Sequence, residues 1–195
     1  MIDNLTPQEK LQARLERETA TREILHVISQ SRDDERPVFE EVLRSARRLC
    51  GAESAALLLR RADGATMMLA ALDDADAGHA ANREAIIAEV NATPLPMDPD
   101  LHLAARAILT GETLQIEDLA DTHAYRVGEP TRRIMVDEQG LRTALTVPLF
   151  VRDAAVGAIN LHRREKRPFS PEDVGLARTF AAQAAIAIEN ARSFR

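Results

Sequence analysis

Two apolar stripes run along the last part of the chain and together predict a long helix that begins at Pro171. Ser170, Pro171 and Asp173 mark its start, because they supply an N-cap hydroxyl, a proline at the first helical position and a carboxylate in the first turn. The first stripe has the three and four residue spacing of a heptad seam and consists of Val174, Ala177, Ala181, Ala184, Ile188 and Ala191. The second consists of Leu176, Phe180, Ala187 and Phe194.

A helix with two apolar stripes has two surfaces to cover, and the sequence leaves two ways of doing so. Either both stripes are buried within one subunit, or one packs on the subunit's own sheet while the other contacts a second copy of the helix. The small side chains of the first stripe allow two helices to approach closely. We therefore predict that this stripe forms the interface of a parallel homodimer.

Two further helices are predicted at the N-terminus. Residues 6–31 form a long one, polar in its first half and carrying a packed stripe at Ile24, Val27 and Ile28 in its second. A second helix covers residues 37–50, with apolar side chains on one face. We predict that residues 1–21 are a helical extension and that residues 22–195 form the domain.

Five stretches are predicted as strands: residues 54–61, 66–72, 113–116, 143–151 and 155–163. Asp63 and Gly64 supply the tight turn of a hairpin between the first two. Pro148 indicates an edge position, a bulge or an unpaired neighbour within the fourth. Short helices are predicted over residues 83–90, 101–109 and 131–138, and the mixture of elements predicts an α+β fold.

Composition excludes several classes of protein. The chain has 195 residues, of which 45% are hydrophobic and 29% charged, so it folds as one domain with a core. Its net charge of −6 does not attract phosphate backbones, which disfavours a nucleic-acid partner. The single cysteine, Cys50, rules out disulfides within the chain and zinc sites built from several thiolates. With no membrane-spanning run or signal peptide in evidence, we expect a cytoplasmic protein without a membrane partner.

Several segments together resemble the GAF domain family, in particular GAF modules attached to bacterial histidine kinases and nucleotide cyclases. They are TREILHVISQS at residues 21–31, PVFEEVLRSARRLC at 37–50, GLRTALTVPLFV at 140–151, VGAINL at 156–161, PFSPED at 168–173 and TFAAQAAIAIENA at 179–191. The resemblance implies a GAF/PAS-like antiparallel β-sheet. The N-terminal and C-terminal helices are expected on one face, and a small-molecule pocket roofed by the middle segment on the other.

The chain departs from the characterised subtypes of this family. Free methionine sulfoxide reduction needs a set of cysteines, and Cys50 alone cannot form the required disulfide. The Cys-His or Asp-Ile-Pro features of bilin-binding members are missing. The Asn-Lys pair of cyclic-nucleotide-binding members is missing too. Of their later Phe-x3-Asp-Glu motif this chain has Phe169 and Asp173, but Val174 stands in place of the glutamate.

Four residues are candidates for ligand binding if the family topology holds: Tyr125, Arg126, Arg142 and Thr143. A guanidinium and a phenol suit an anionic or aromatic ligand, although an arginine before a strand is often a surface residue. Asp118 is read as a turn or capping residue. Asn160 either lines a cavity or satisfies backbone groups.

The histidines give no support to a metal site. No two of them lie three or four residues apart, and His162 on its strand is expected to be exposed or hydrogen-bonded. The acidic run at Asp73, Asp74 and Asp76 is read as a solvated loop. Since no catalytic constellation stands out, we expect no metal, no cofactor and no enzymatic activity.

The sequence therefore predicts a sensory or regulatory module of bacterial two-component or related signal transduction. It is expected to bind an unidentified small molecule and to transmit through its terminal helices, in a dimer, to a kinase or cyclase domain. Two alternatives stay open: a ligand-free dimerisation spacer whose cavity is filled by side chains, and an enzyme that depends on Cys50.

Overall fold

One antiparallel sheet forms the centre of the computed structural model, which describes residues 6–30 and 34–193. The strands are β1 Ser54–Arg60, β2 Thr66–Asp74, β3 Leu95–Pro96, β4 Leu114–Ile116, β5 Thr143–Val151 and β6 Ala154–Arg163. Their order across the sheet is β3-β2-β1-β6-β5-β4. All five predicted strands are present, and β3 is an additional two-residue strand in a segment predicted as loop.

The described helices are α1 Pro7–Gln30, α2 Arg36–Leu49, α3 Ala77–Ala81, α4 Arg83–Ala92, α5 Leu103–Thr110, α6 His123–Arg126, α7 Pro130–Arg133 and α8 Pro171–Ser193. A 3₁₀ turn at Leu119–Asp121 and a π-helical turn at Ile134–Glu138 complete the helical structure. The helix predicted over residues 131–138 is thus divided into α7 and the π-helical turn. Within the described residues, no helix combines the length and the apolar character needed to cross a bilayer.

Strand register decides which side chains face each layer of the molecule. Leu57 lies opposite Ile159, and Leu145 lies opposite Leu161; these four side chains point toward the terminal helices. Residues one position along, such as Asn160 and its partners, point to the other face because side chains alternate along a strand. The two faces therefore have separate cores.

The larger core lies between the sheet and helices α1, α2 and α8. Helix α2 contributes Val38, Phe39, Val42 and Leu43, each of them at most 1% exposed. Burial of one such side chain is worth about 1.5 to 3 kcal/mol, so this face supplies most of the hydrophobic stabilisation. The second face is covered by α4 and α5, which pack on β2, β5 and β6. This arrangement confirms the predicted α+β fold, with terminal helices on one face and the middle segment on the other.

The stripe predicted as a dimer interface lies inside the subunit. Ala177, Ala181, Ala184, Ile188 and Ala191 are each at most 5% exposed; the first four belong to the larger core, and Val174 is partly buried against it. The second stripe is also covered: Phe180 and Ala187 are buried and Leu176 packs against the core, whereas Phe194 lies outside the described residues. This corrects the assignment of the first stripe to an interface, because both stripes of α8 are used within one subunit.

Helix α1 is continuous across the boundary predicted between residues 21 and 22. Its first half is mostly exposed, and burial starts with Ala20 and Ile24, which are both 0% exposed. Leu11, Leu15 and Leu25 remain about half exposed. The first half of the helix thus extends alongside the domain with little core of its own.

The sheet curls at a close approach between β1 and β6. At Gly157 an added Cβ would lie 2.8 Å from Cδ2 of Leu59 and even closer to the carbonyl oxygen of Leu58. The ladder between β1 and β2 shifts register at Leu57 and Leu58, next to the same point. Glycine is required here because the backbone of β1 occupies the space of a side chain.

Candidate functional site

A cavity of about 140 Å³ lies between the sheet and the helices of the middle segment. Its apolar walls come from β1, β2, α4 and α5 and include Leu58, Leu69, Ile86 and Val90. At its other end polar side chains gather: Ser54, His102, Glu129, Thr131, Arg132, Gln139, Asn160 and His162. The cavity is therefore apolar at one end and polar at the other, as small-molecule sites commonly are.

Arg132 is the buried cation of this cavity. Pro130 begins α7, and both carboxylate oxygens of Glu129 cap the helix by accepting the backbone N–H groups of Thr131 at 3.1 Å and Arg132 at 2.6 Å. This cap fixes a short helix whose third residue points inward, and Arg132 is only 5% exposed.

The charge of Arg132 is not balanced by a contact within the protein. Its Nε and Nη1 atoms are buried without a hydrogen-bond partner, and no carboxylate of the described residues pairs with it. Burial lowers its pKa, and the nearby Glu129 carboxylate opposes that shift. A buried guanidinium without such a partner is costly for a fold.

Asn160 and His162 enter the cavity from β6. Their cross-strand neighbours are small or short, namely Ala56 and Thr146 beside Asn160, and Ser54 and Ala144 beside His162. Asn160 Oδ1 and His162 Nδ1 are buried and have no hydrogen-bond partner. Small neighbours leave space above these two side chains, which explains why a cavity forms at this point of a central strand.

His162 is a neutral side chain in this setting. Burial, with a smaller contribution from the charge of Arg132, lowers the pKa of His162 to about 3. One ring nitrogen of a neutral imidazole donates a hydrogen bond and the other accepts one. The expectation that His162 would be exposed or hydrogen-bonded is wrong, since it is 4% exposed and its Nδ1 is unpartnered. For Asn160, the alternative that it lines a cavity is the one observed.

The roof of the cavity is tied to the sheet by Asn91 at the end of α4. Its side-chain amide donates to the carbonyl oxygen of Leu69 and accepts the N–H of the same residue, both at 2.8 Å. The amide thus takes the place of a neighbouring strand beside Leu69, because β3 pairs only with Thr66 and Met67 of β2. The roof is held by this pair of hydrogen bonds together with apolar contacts of Ile87 and Val90.

The four predicted ligand residues do not line this cavity. The hydroxyl of Tyr125 donates to Asp137 at 2.8 Å and its ring lies under the guanidinium of Arg133, while Arg126 donates to the carbonyl oxygen of Asp121. Arg142 pairs with Asp118, and Thr143 is fully buried with its hydroxyl within hydrogen-bond distance of the carbonyl oxygens of Glu117 and Glu165. Each has a partner within the protein and lies outside this cavity, and their role in ligand binding stays a prediction.

Asp118 is the centre of an ion-pair cluster next to the cavity. It caps the 3₁₀ turn through the N–H of Ala120, as the sequence predicted, and it accepts two hydrogen bonds from Arg142 at 2.8 and 2.6 Å and an ion pair from Lys166. The hydrogen bonds from Arg142, followed by that from Lys166, hold the pKa of this carboxyl far below its usual range despite burial. The cluster is satisfied and holds the loop before β5 in place.

A more open groove of about 640 Å³ lies along α8 and includes Gly111, Pro148, Arg178 and Ala182. Unlike the enclosed cavity, it has no unpartnered buried polar atom among its described lining residues. Within the described residues there is also no group of three or more metal-ligating side chains. Residues of the acidic run have partners within the protein: Asp73 pairs with Arg47, and Asp76 caps α3.

Arg132, the residue on which the site depends, is not predictable from the local sequence. The only local signal was Glu129 before Pro130, which marks a capped helix start but does not tell which side chains turn inward. His102 was also passed over; it lies at the cavity with its pKa lowered by burial, an effect that the charge of Glu129 opposes. Both depend on tertiary contacts rather than on local pattern.

Comparison with known proteins places this geometry in a family. Residues 34–188 match the model of the GAF domain. No curated protein matches the chain significantly. Among solved structures, the fold is similar to residues 122 to 287 of a methyl-accepting chemotaxis protein, with a TM-score of 0.70, 19% identity and coverage of 88% of this chain and 98% of that one.

Two further structures illustrate the range of proteins that share the fold. The GAF domain of a phosphoenolpyruvate-protein phosphotransferase from Coxiella burnetii has a TM-score of 0.71 at 16% identity, covering 92% of this chain and 96% of that one. The free methionine-R-sulfoxide reductase of Neisseria meningitidis, solved with its substrate, has a TM-score of 0.68 at 16% identity, covering 94% of each chain. At these identities the structures share the fold alone. The family match over most of the sequence shows that this chain belongs to the GAF domain family.

Proposed function

We propose that this chain is a non-catalytic sensory GAF module that binds a small molecule in the cavity lined by Arg132, Asn160 and His162. The observation that carries the proposal is the convergence of Arg132, Asn160 and His162, each with a buried unpartnered polar atom, on one cavity. Buried polar groups are satisfied in most proteins, so three unsatisfied ones at a single cavity indicate a ligand that satisfies them. We place the module in the cytoplasm, in keeping with its lone free cysteine.

Transmission is proposed to run through the terminal helices of a homodimer to a kinase or cyclase domain. Helices α1 and α8 both pack on the sheet face opposite the cavity and both leave apolar side chains exposed. Leu15 and Leu25 of α1 and Ile186 of α8 are between 45% and 51% exposed. These residues replace the buried stripe of α8 as the proposed dimer contact. A ligand shifts such a system only by its difference in affinity between two arrangements of the helices.

A ligand-free spacer is the second candidate, and the small size of the cavity favours it. Ligand pockets usually measure about 300 to 1,000 Å³, and this one measures about 140 Å³. Against the spacer stands the unpaired charge of Arg132, because a purely structural module gains nothing from it. An apolar side chain at this position would serve a spacer better.

Enzymatic activity through Cys50 is disfavoured by the position of its thiol. Cys50 is 1% exposed, lies in the core on the helix side of the sheet, and its Sγ contacts the carbonyl oxygen of Asp173 at 3.6 Å. Burial, with the charge of Asp173, raises the pKa of Cys50 to about 12. The thiolate is the reactive form of cysteine, so this residue is a poor nucleophile.

The test combines a thermal-shift screen over a broad metabolite panel with native mass spectrometry of freshly purified protein. A ligand present at about 100 times its Kd stabilises by about 2.7 kcal/mol, which corresponds to a rise in Tm of several degrees. The variant Ala56→Leu, which fills the cavity from β1, is expected to abolish the shift, while Ala182→Leu on the exposed face of α8 keeps it. A protein with no shift on any compound and no bound mass would instead establish the spacer.

A further inference from the structure

We propose that the ligand of this cavity is a small organic monoanion, a short-chain aliphatic carboxylate, whose carboxylate binds Arg132 with help from His162. This inference rests on the proposed function and names the chemical class of its ligand. It follows from three properties of the cavity: its charge, its size and the distribution of its polar groups.

The charge of the site calls for one negative group. Arg132 is the cation that lines the cavity without an ion-pair partner among the described residues. Glu129, the nearest acid, has both carboxylate oxygens engaged by the N–H groups of the α7 cap. The end of a guanidinium presents Nη1 beside Nη2 as a fork that matches a carboxylate, so one such group would satisfy the buried Nη1 atom.

His162 suits an anion without adding charge. Because His162 is neutral, one ring nitrogen donates a hydrogen bond, and its buried Nδ1 has no partner among the described residues. A single positive charge with one neutral donor fits a singly charged group better than a phosphate, which carries nearly two charges at neutral pH. The site thus favours a carboxylate.

The size of the cavity limits the rest of the ligand to a few atoms. A volume of about 140 Å³ equals roughly five water molecules at about 30 Å³ each. A nucleotide or a tetrapyrrole does not fit. The walls facing the polar end are aliphatic, with Leu58, Leu69 and Val90 among them. A short hydrocarbon chain therefore fills the space.

The experiment measures binding of isovalerate and butyrate to the full chain by isothermal titration and by saturation-transfer NMR. Three matched probes are compared with isovalerate. Isovaleramide lacks the negative charge, leucine adds an amino group, and inorganic phosphate carries more negative charge. We expect the carboxylates to bind at least about tenfold more tightly than isovaleramide, since a hydrogen bond to a charged group contributes that much. Ala56→Leu is expected to abolish this binding.

Variants of Arg132 separate recognition from folding. Arg132→Met is expected to lose carboxylate binding at least about tenfold while the ligand-free protein melts at the same or a higher temperature, because an unpaired buried charge is removed. Arg132→Lys keeps the charge without the fork and is expected to bind more weakly than the parent. The matched control is Arg133→Met, whose exposed guanidinium lies over Tyr125, and it is expected to bind as the parent does.

The possible results distinguish this inference from the function on which it rests. If isovaleramide or phosphate binds as tightly as isovalerate, or if Arg132→Met binds normally, the assigned ligand class is overturned and the sensory role stands. If the metabolite panel shifts the melting temperature but no carboxylate binds, the same conclusion holds. If neither the panel nor the carboxylates bind, both the ligand class and the sensory function fail.

Discussion

The guanidinium of Arg163 at the end of β6 lies 3.1 Å from the carboxylate of Asp173 in the first turn of α8. The same guanidinium donates to the carbonyl oxygens of Cys50, Gly51, Arg167 and Pro168 and lies on the ring of Phe169. Asp173 also accepts the N–H of Ser170, whose hydroxyl in turn accepts the N–H of Asp173. A single buried arginine therefore joins the end of α2, the strand β6 and the start of α8.

Arg163→Met is expected to lower the free energy of unfolding by about 3 to 5 kcal/mol, as the loss of one member of a buried charged network does. The side chain is 2% exposed, so water does not replace its contacts. Urea denaturation measures the loss. The control Arg152→Met removes a guanidinium that is 82% exposed and is expected to change stability by less than about 0.5 kcal/mol. Equal effects of the two changes would show that Arg163 does not join the three elements.

Asp118→Asn is expected to reduce stability by about 1 to 3 kcal/mol at pH 7, because its carboxylate is buried between Arg142 and Lys166. The folded-state pKa of Asp118 is depressed, so its contribution is fully present above the unfolded pKa of about 3.9 and is lost as the pH falls toward the folded pKa. Denaturation of parent and variant between pH 7 and pH 3 should show a constant difference down to about pH 5 and a shrinking one below. A difference that stays constant to pH 3 would contradict the assignment.

Two glycine substitutions are expected to have opposite effects. Gly157→Ala places a Cβ against the backbone of Leu58, which cannot move away, and is expected to destabilise the protein by about 3 kcal/mol or more. Gly175→Ala on the exposed face of α8 has nothing within 4 Å and is expected to stabilise it by about 0.5 to 1 kcal/mol. Thermal unfolding of both variants measures the contrast. A neutral Gly157→Ala would show that β1 and β6 do not approach so closely.

Charged substitutions distinguish the two surfaces proposed for the dimer. Leu15→Glu and Ile186→Glu alter exposed side chains and are expected to leave folded monomers, as measured by light scattering and circular dichroism. Ala184→Glu places a carboxylate in a position that is 0% exposed within the subunit, so it is expected to unfold the protein rather than dissociate it. A folded, monomeric Ala184→Glu variant would show that the first stripe of α8 forms the dimer interface.

Local sequence patterns predicted the helices, strands and turns better than they predicted which of these elements pack together. The turn at Asp63 and Gly64 forms as expected, with the carboxylate of Asp63 accepting the N–H groups of Ala65 and Thr66 at 2.8 and 2.9 Å. Pro148 is tolerated because β4 begins at Leu114, opposite Thr146, and does not extend alongside the proline. These features depend on a few adjacent residues, and the sequence contains them all.

The site was not predictable in the same way, because it depends on residues distant in sequence. The heptad spacing of α8 shows which residues share a stripe, but the curvature of the sheet and the position of α2 decide whether the stripe is covered. The sequence suggests an exposed helical arginine at Arg132, and only the tertiary structure buries it. In the sequence His162 is an ordinary polar residue of a strand. In the structure its small neighbours, Ser54 and Ala144, leave it facing the cavity.

Consecutive residues of β6 serve the two sides of the molecule. His162 looks into the cavity, while Arg163, one peptide bond further along, holds the root of α8 on the opposite side. The cavity and the start of α8 are thus one residue apart along the backbone of β6. If the cavity binds a ligand as proposed, a shift of this strand would reach the helix without a relay of intervening side chains.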